Sequence, residues 1–330
     1  MNRNTRARAL FFLIASLFAP SVAFAHVGYV IDRTDQERAK GIDLAFLFTA
    51  FHEYKIIALV LIACAVFLLL CFLASRHTTA KAFIKKVQIR GSGYEELIPW
   101  MLRLSVGIGL VGAGTSKVFI SPSLNGFPEF AFIQTFLGFL ILLGFLLSPA
   151  LILAFFLFLW AFVKTSYMLG NIDFLAACMA IFALASSRPG LDHLLGIPFF
   201  PKILSLKNYV PLILRIGIGG AMIYLAFQEK MFNPHLSALV VEKFHLTDIL
   251  PVSPALWVLG TGMVELAIGA AFLLGLYTRF VSAFAFIMLS LSFFYFGEDV
   301  YAHITLFAIL SVLFITGAGN MSADTWKSKA

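Results

Sequence analysis

Charge is scarce in this sequence. Only 12% of its 330 residues are Asp, Glu, Lys or Arg, about half the share of a soluble protein. That scarcity argues against a pair of soluble domains and makes the length a count of membrane helices. The net charge of +7 is scattered between apolar segments, which excludes a nucleic-acid surface and leaves the basic residues as topology determinants. Cysteine is rarer still. Cys64, Cys71 and Cys178 all fall within apolar runs, so no disulfide framework is expected. Cys64 and Cys71 share a helix face but stand two turns apart, too far to bond. There is no Cys-x-x-Cys, no glycine-rich phosphate loop and no serine nucleophile elbow. No two histidines lie deep in separate helices, which argues against a b-type haem, and no metal site is expected.

What is abundant is apolar length. Residues 1–25 read as a cleaved secretory signal: Arg3, Arg6 and Arg8, an apolar core at Ala9–Phe18, and Ala23-Phe24-Ala25 as the cleavage site. A chain beginning at His26 could chelate copper through its amine and ring. With no second histidine nearby, the plainer reading is a residue that follows a cut. Residues 26–55 are polar and expected outside the cytoplasm, with His52 and Glu53 as a hydrated pair at the membrane boundary.

Nine spanning helices can be drawn, at 56–74, 98–116, 130–147, 149–164, 171–187, 209–228, 255–276, 278–297 and 300–317. Ser148-Pro149 and Tyr277-Thr278 are expected as tight turns. With residue 26 outside, the cytoplasmic loops and tail hold eleven basic residues and the external loops between helices hold four, Lys117, Lys164, Lys230 and Lys243. The N-terminal segment adds four more outside without reversing the bias. The positive-inside rule therefore gives an external N-terminus and a cytoplasmic C-terminus.

The last eight helices divide into two fours. Ile98-Pro99-Trp100-Met101-Leu102-Arg103 matches Val210-Pro211-Leu212-Ile213-Leu214-Arg215, and Lys117 and Lys230 close the glycine-rich helices that follow. Gln134, Gly138 and Gly144 repeat the spacing of Glu265, Gly269 and Gly275. The segments ending at Asp192 and Asp324 correspond as well. Both halves start on the same side, as in a parallel repeat. The fold expected is all-α and polytopic: two tandem four-helix bundles, at 98–192 and 209–324, preceded by one helix at 56–74.

Glu265 lies inside an apolar run, and an ionisable group there is costly enough to imply function. It should favour its neutral form unless paired. The first half has Gln134 in its place, which keeps the size and hydrogen bonding but cannot ionise. One half then retains an activity and the other is scaffold. The plainer alternative is a hydrogen bond that either residue supplies.

Leu214-Arg215, Glu229-Lys230-Met231-Phe232, Val264-Glu265, Gly269, Gly275-Leu-Tyr-Thr-Arg279 and Gly317–Asp324 together resemble the DoxX/DoxD family of four-helix membrane proteins. The first half resembles a diverged copy that lacks the glutamate and the Thr-Arg turn. The resemblance implies a membrane subunit of a redox complex, passing electrons from a small sulfur reductant such as thiosulfate to quinone. It also implies a soluble or membrane redox partner, lipid around the helices, and the bacterial-type inner membrane as location. A non-enzymatic scaffold or small-solute permease is the rival reading.

Four residues are the candidates for chemistry. Glu265 is a proton acceptor or relay, and His303 sits one turn inside an outer helix end. Lys230 and His303 could hold an anion or a quinone carbonyl, beside Glu229, Glu298 and Asp299, although interfacial capping explains the same residues. Arg215 could reach inward to substrate, but the plainer expectation for Arg103 and Arg215 is snorkelling to the headgroups.

Overall fold

The computed structural model describes residues 27–39, 93–122, 124, 127–199 and 206–327, with scattered positions between 41 and 91. The signal segment, His26, His52, Glu53, Cys64 and Cys71 lie outside the described residues, as does much of the 56–74 run.

The described residues are helical, without a strand among them. The first two helices among the described residues are short, α1 (Val27–Val30) and α2 (Arg33–Ala39). Next come α3 (Ile98–Thr115), α4 (Phe130–Leu143), α5 (Leu147–Lys164) and α6 (Ile172–Leu184). Then follow α7 (Val210–Leu225), α8 (Pro234–Lys243), α9 (Pro254–Leu274), α10 (Thr278–Phe296) and α11 (Val300–Thr316). Among the described residues six helical segments are long and apolar enough to cross a bilayer, and α4 and α11 are shorter apolar helices. This is a multi-pass membrane protein. The eight apolar helices among the described residues fall where the sequence puts the last eight spans.

The turns correct two details. Ser148 and Pro149 are not a turn but the first turn of α5, and the chain reverses at Gly144, in the left-handed region with φ 62°. A glycine there ends α4 without a Cβ penalty. Gly275 does the same after α9, with φ 65°, and Thr278 is the first residue of α10 and not part of the turn.

The chain forms two compact units. One is drawn from Met1–Cys64, Leu225–Glu265 and Ile287–Gly297, and the other from Ala65–Tyr224, Leu266–Phe286 and Glu298–Ala330. In the larger unit α3 and α4 approach to backbone contact. A Cβ on Gly138 would stand 2.7 Å from the Gly107 carbonyl oxygen, so only glycine lets the helices pack so closely. Gly219 on α7 and Gly269 on α9 meet in the same way, with added Cβ atoms 2.8 and 2.9 Å from the partner's oxygen.

The arginines do not snorkel. Arg103 and Arg215 are 1% and 0% exposed. Arg103 donates Nε to Ile141 O at 3.2 Å, Nη2 to Leu142 O at 3.1 Å and Nη1 to Ser187 O at 2.9 Å. It thereby closes the last carbonyls of α4, which have no partner within the helix. Arg279 closes α11 through Phe314 O and Ile315 O, both at 3.1 Å. Carboxylates serve the opposite ends. Asp192 accepts from the amides of Leu146 and Leu147, both at 2.8 Å, and Asp324 from those of Tyr277 and Thr278 at 2.7 and 3.0 Å. Negative charge suits a helix N-terminus.

Candidate functional site

The smaller unit holds a buried cluster of three charged side chains. After Leu225, α7 widens into a π-helical turn, Ala226–Met231. Successive residues of an α-helix diverge by about 100°, so neighbouring side chains do not face each other. In this π turn Glu229 and Lys230, adjacent in sequence, bond to one another: Lys230 Nζ lies 3.2 Å from Glu229 Oε2. Such turns recur at functional sites.

Lys230 Nζ is also 3.1 Å from Glu265 Oε2 on α9. The lysine stem reaches that carboxylate because Gly262, three residues before it, leaves room. A Cβ at Gly262 would stand 2.9 Å from Lys230 Cβ. All three groups are buried, Glu229 at 0%, Lys230 at 3% and Glu265 at 4% exposure. The result is one ammonium between two carboxylates, inside apolar helices. Each partner is costly to bury alone and is retained by the other two.

The surroundings hold this trio in place. The Val27 amide at the start of α1 donates to Glu229 Oε2 at 3.5 Å, and Ser237 Oγ donates to the Glu229 carbonyl at 2.9 Å. Val27 and Ile31 pack with Leu236 and Val240 in a small apolar cluster. Lys243 Nζ donates to Val30 O at 2.9 Å, which ties α1 to α8. Farther along, Asp43 pairs with His235 at 3.0 Å and accepts from the Phe46 amide at 2.9 Å. That amide, with His235, holds the Asp43 carboxyl below the usual carboxylate value.

The larger unit contains a second buried pair. His303 Nε2, on the first turn of α11, is 3.1 Å from Glu298 Oε2, and both side chains are enclosed. Glu298 lies just before the start of α11, where the helix dipole favours a carboxylate.

Glu265, Lys230 and Glu229 are therefore brought together, and His303 is joined to Glu298 in the other unit. Arg215, expected to bind substrate, is fully buried and donates Nη2 to Met321 O at 3.0 Å. Glu229 was not among the candidates from sequence. Its signal was the Glu-Lys pair at the end of an apolar run, which reads equally well as an interfacial cap.

Gln134 behaves differently from Glu265. Its side-chain amide donates to Val118 O, and its Oε1 accepts from the Ile120 amide at 3.0 Å. Lys117, one residue earlier, is exposed. The acid meets a buried ammonium, while the amide meets only backbone.

The stretch from α7 through Glu298 carries the buried trio and the paired glycines, and this is where the chain is similar to a known family. Residues 210–298 match the DoxX family model. No curated protein and no solved structure matches the chain. The DoxX match includes Arg215, Glu229, Lys230, Glu265 and Glu298, and it ends before His303. All three members of the trio are thus inside the DoxX segment, while Gln134 lies outside it.

Proposed function

We propose that this chain is the membrane subunit of a redox complex that passes electrons from a small sulfur reductant, such as thiosulfate, to quinone. In this reading the Glu229–Lys230–Glu265 trio handles the protons. The observation that carries it is the trio itself, since ionisable groups enclosed in membrane helices mark proton relays and ion pathways. One ammonium offsets one carboxylate. A proton on the other carboxyl brings the trio to neutrality, so the buried trio favours taking up one proton and carries a net negative charge once it is released.

Joining two thiosulfates through a new S–S bond releases two electrons, and quinone takes up two electrons with two protons. Quinone is then a substrate of the assembled complex. The cavity beside Lys230 has a volume of about 20 Å³, room for about one water. It is too small for a quinone ring. What the chain contributes is proton exchange at Glu265, with Glu229 and Lys230, and a second acid–base pair in His303 and Glu298. With no electron-carrying motif in the sequence, electrons arrive through a redox partner protein. The basic bias of the expected inner loops supports the bacterial-type inner membrane, with a cleaved signal, an external N-terminus and a cytoplasmic C-terminus.

The test is thiosulfate-dependent quinone reduction in native membranes with and without this gene. Deletion should abolish activity, the unaltered gene should restore it, and Glu265→Gln should not. Unchanged activity on deletion overturns the redox reading and leaves the scaffold or permease.

A further inference from the structure

The cavity beside the trio has its own hydrogen-bond arithmetic. Its wall includes Lys230, Ser237, Val240, Trp257, Val258 and Thr261. An ammonium has three N–H donors. Lys230 donates one to Glu229 and is ion-paired with Glu265 at 3.1 Å; even with a second N–H turned toward that carboxylate, a third remains for the cavity that Lys230 lines, from a side chain that is 4% exposed. The two hydroxyls in the wall have spent their protons elsewhere. Ser237 Oγ donates to Glu229 O, and Thr261 Oγ1 donates to the carbonyls of Trp257 and Val258. Both keep acceptor lone pairs. The cavity thus presents one donor and two acceptors in a volume for one water, within the two to four partners that a buried water needs. An anion is disfavoured beside two carboxylates, and the remaining wall is apolar.

We propose that this cavity binds a single water, held by Lys230, Ser237 and Thr261, and that this water is the route by which the trio exchanges protons. The inference rests on the proton-handling part of the proposed function and is independent of thiosulfate and quinone. A proton arriving at the water leaves it through Lys230. The ammonium gives one proton to a carboxylate, turns as an amine, and takes the arriving proton from the water. Water and ammonium end as they began, and the carboxyl has gained one proton. Ser237 and Thr261 are positioning residues in this scheme.

The experiment follows the carboxylic C=O stretch of the full chain in lipid vesicles by infrared difference spectroscopy, after a switch from H₂O to D₂O. The unaltered protein should show a carboxylic band that is lost in Glu229→Gln or Glu265→Gln and that shifts promptly in D₂O. Thr261→Val, which removes the hydroxyl at nearly constant volume, should slow that shift by about tenfold or more, since transfer through one water needs hydrogen-bond reach. Thr261→Ser should keep it fast. If Thr261→Val does not fold, Ser237→Ala supplies the same comparison. Exchange as fast in these variants as in the unaltered protein overturns the proposal, as does the absence of any carboxylic band that depends on Glu229 or Glu265. Loss of thiosulfate activity without a change in exchange would bear on the proposed function alone.

Discussion

Glu265 closes on the ammonium of Lys230 at 3.1 Å, whereas Gln134, which has the same spacing to its glycines Gly138 and Gly144, bonds only to backbone. The two residues do not supply one interchangeable hydrogen bond. A glutamine at 265 would leave Lys230 with a single anionic partner, Glu229.

That asymmetry sets the first prediction. Lys230→Met leaves two buried carboxylates without their shared cation and should cost about 3–5 kcal/mol of stability, the usual penalty for breaking a buried pair. Adding Glu229→Gln and Glu265→Gln to the same chain should recover most of that loss. Denaturant-induced unfolding in detergent micelles measures both. A triple variant no more stable than Lys230→Met would show that the charges are not the reason.

The aspartate caps give a second. Asp192→Ala and Asp324→Ala each strand two amides at a helix start and should cost about 1–2 kcal/mol apiece. The two losses should be similar and should add, because the caps serve different helices. A thermal shift in detergent for each single variant and for the double reads this directly.

Close helix approach gives a third. Gly138→Ala puts a methyl 2.7 Å from the Gly107 oxygen, and Gly269→Ala meets the Gly219 oxygen at 2.9 Å. Each should destabilise by about 1–3 kcal/mol through overpacking. Gly260→Ala, where nothing lies within 4 Å of the added atom, should be neutral or slightly stabilising.

Acid supplies a fourth. Asp43 has a carboxyl held below its ordinary value by the Phe46 amide and His235. A depressed folded-state value means that its contribution is present above the ordinary carboxylate value, about 3.9, and fades as pH falls through the lower folded one. Protection of residues 41–46 from protease should therefore survive acidification to about pH 4, and Asp43→Asn should lose it at neutral pH. Loss of protection in the unaltered protein at weakly acidic pH would contradict the assignment.

Much of the fold was legible because apolar length and loop punctuation report helices directly. The last eight spans agree with the helices to within a few residues, and Gly138 and Gly269, matched in the sequence by spacing alone, both lie where helices meet. The arginines were misread for a physical reason. A sequence shows that Arg103 is near a helix end but not whether that end faces headgroups or the carbonyls of Ile141 and Leu142. The trio was half legible. Glu265 stood out as an acid in an apolar run, but Lys230 read as the outer end of another helix, with nothing to link the two. The π turn at Ala226–Met231 and the space left by Gly262 bring the two together, and neither has a strong sequence signature. Glu229 was hidden by its own position, since an acid at the end of an apolar run is expected to face water.

The arginine lock on α4 has a consequence for the lipid. Fourteen residues make a helix of about 21 Å, well short of the hydrocarbon thickness of about 30 Å. Its outward residues Phe132 and Phe136 are exposed, and their rings stack. A helix so short would ordinarily force the bilayer to thin until water reached its final carbonyls. Because Arg103 already satisfies the carbonyls of Ile141 and Leu142, those groups need no water, and this end of α4 can lie below the headgroups. Hydrophobic mismatch at this helix is absorbed by the protein instead of the bilayer, and membranes of different thickness should accommodate it equally well.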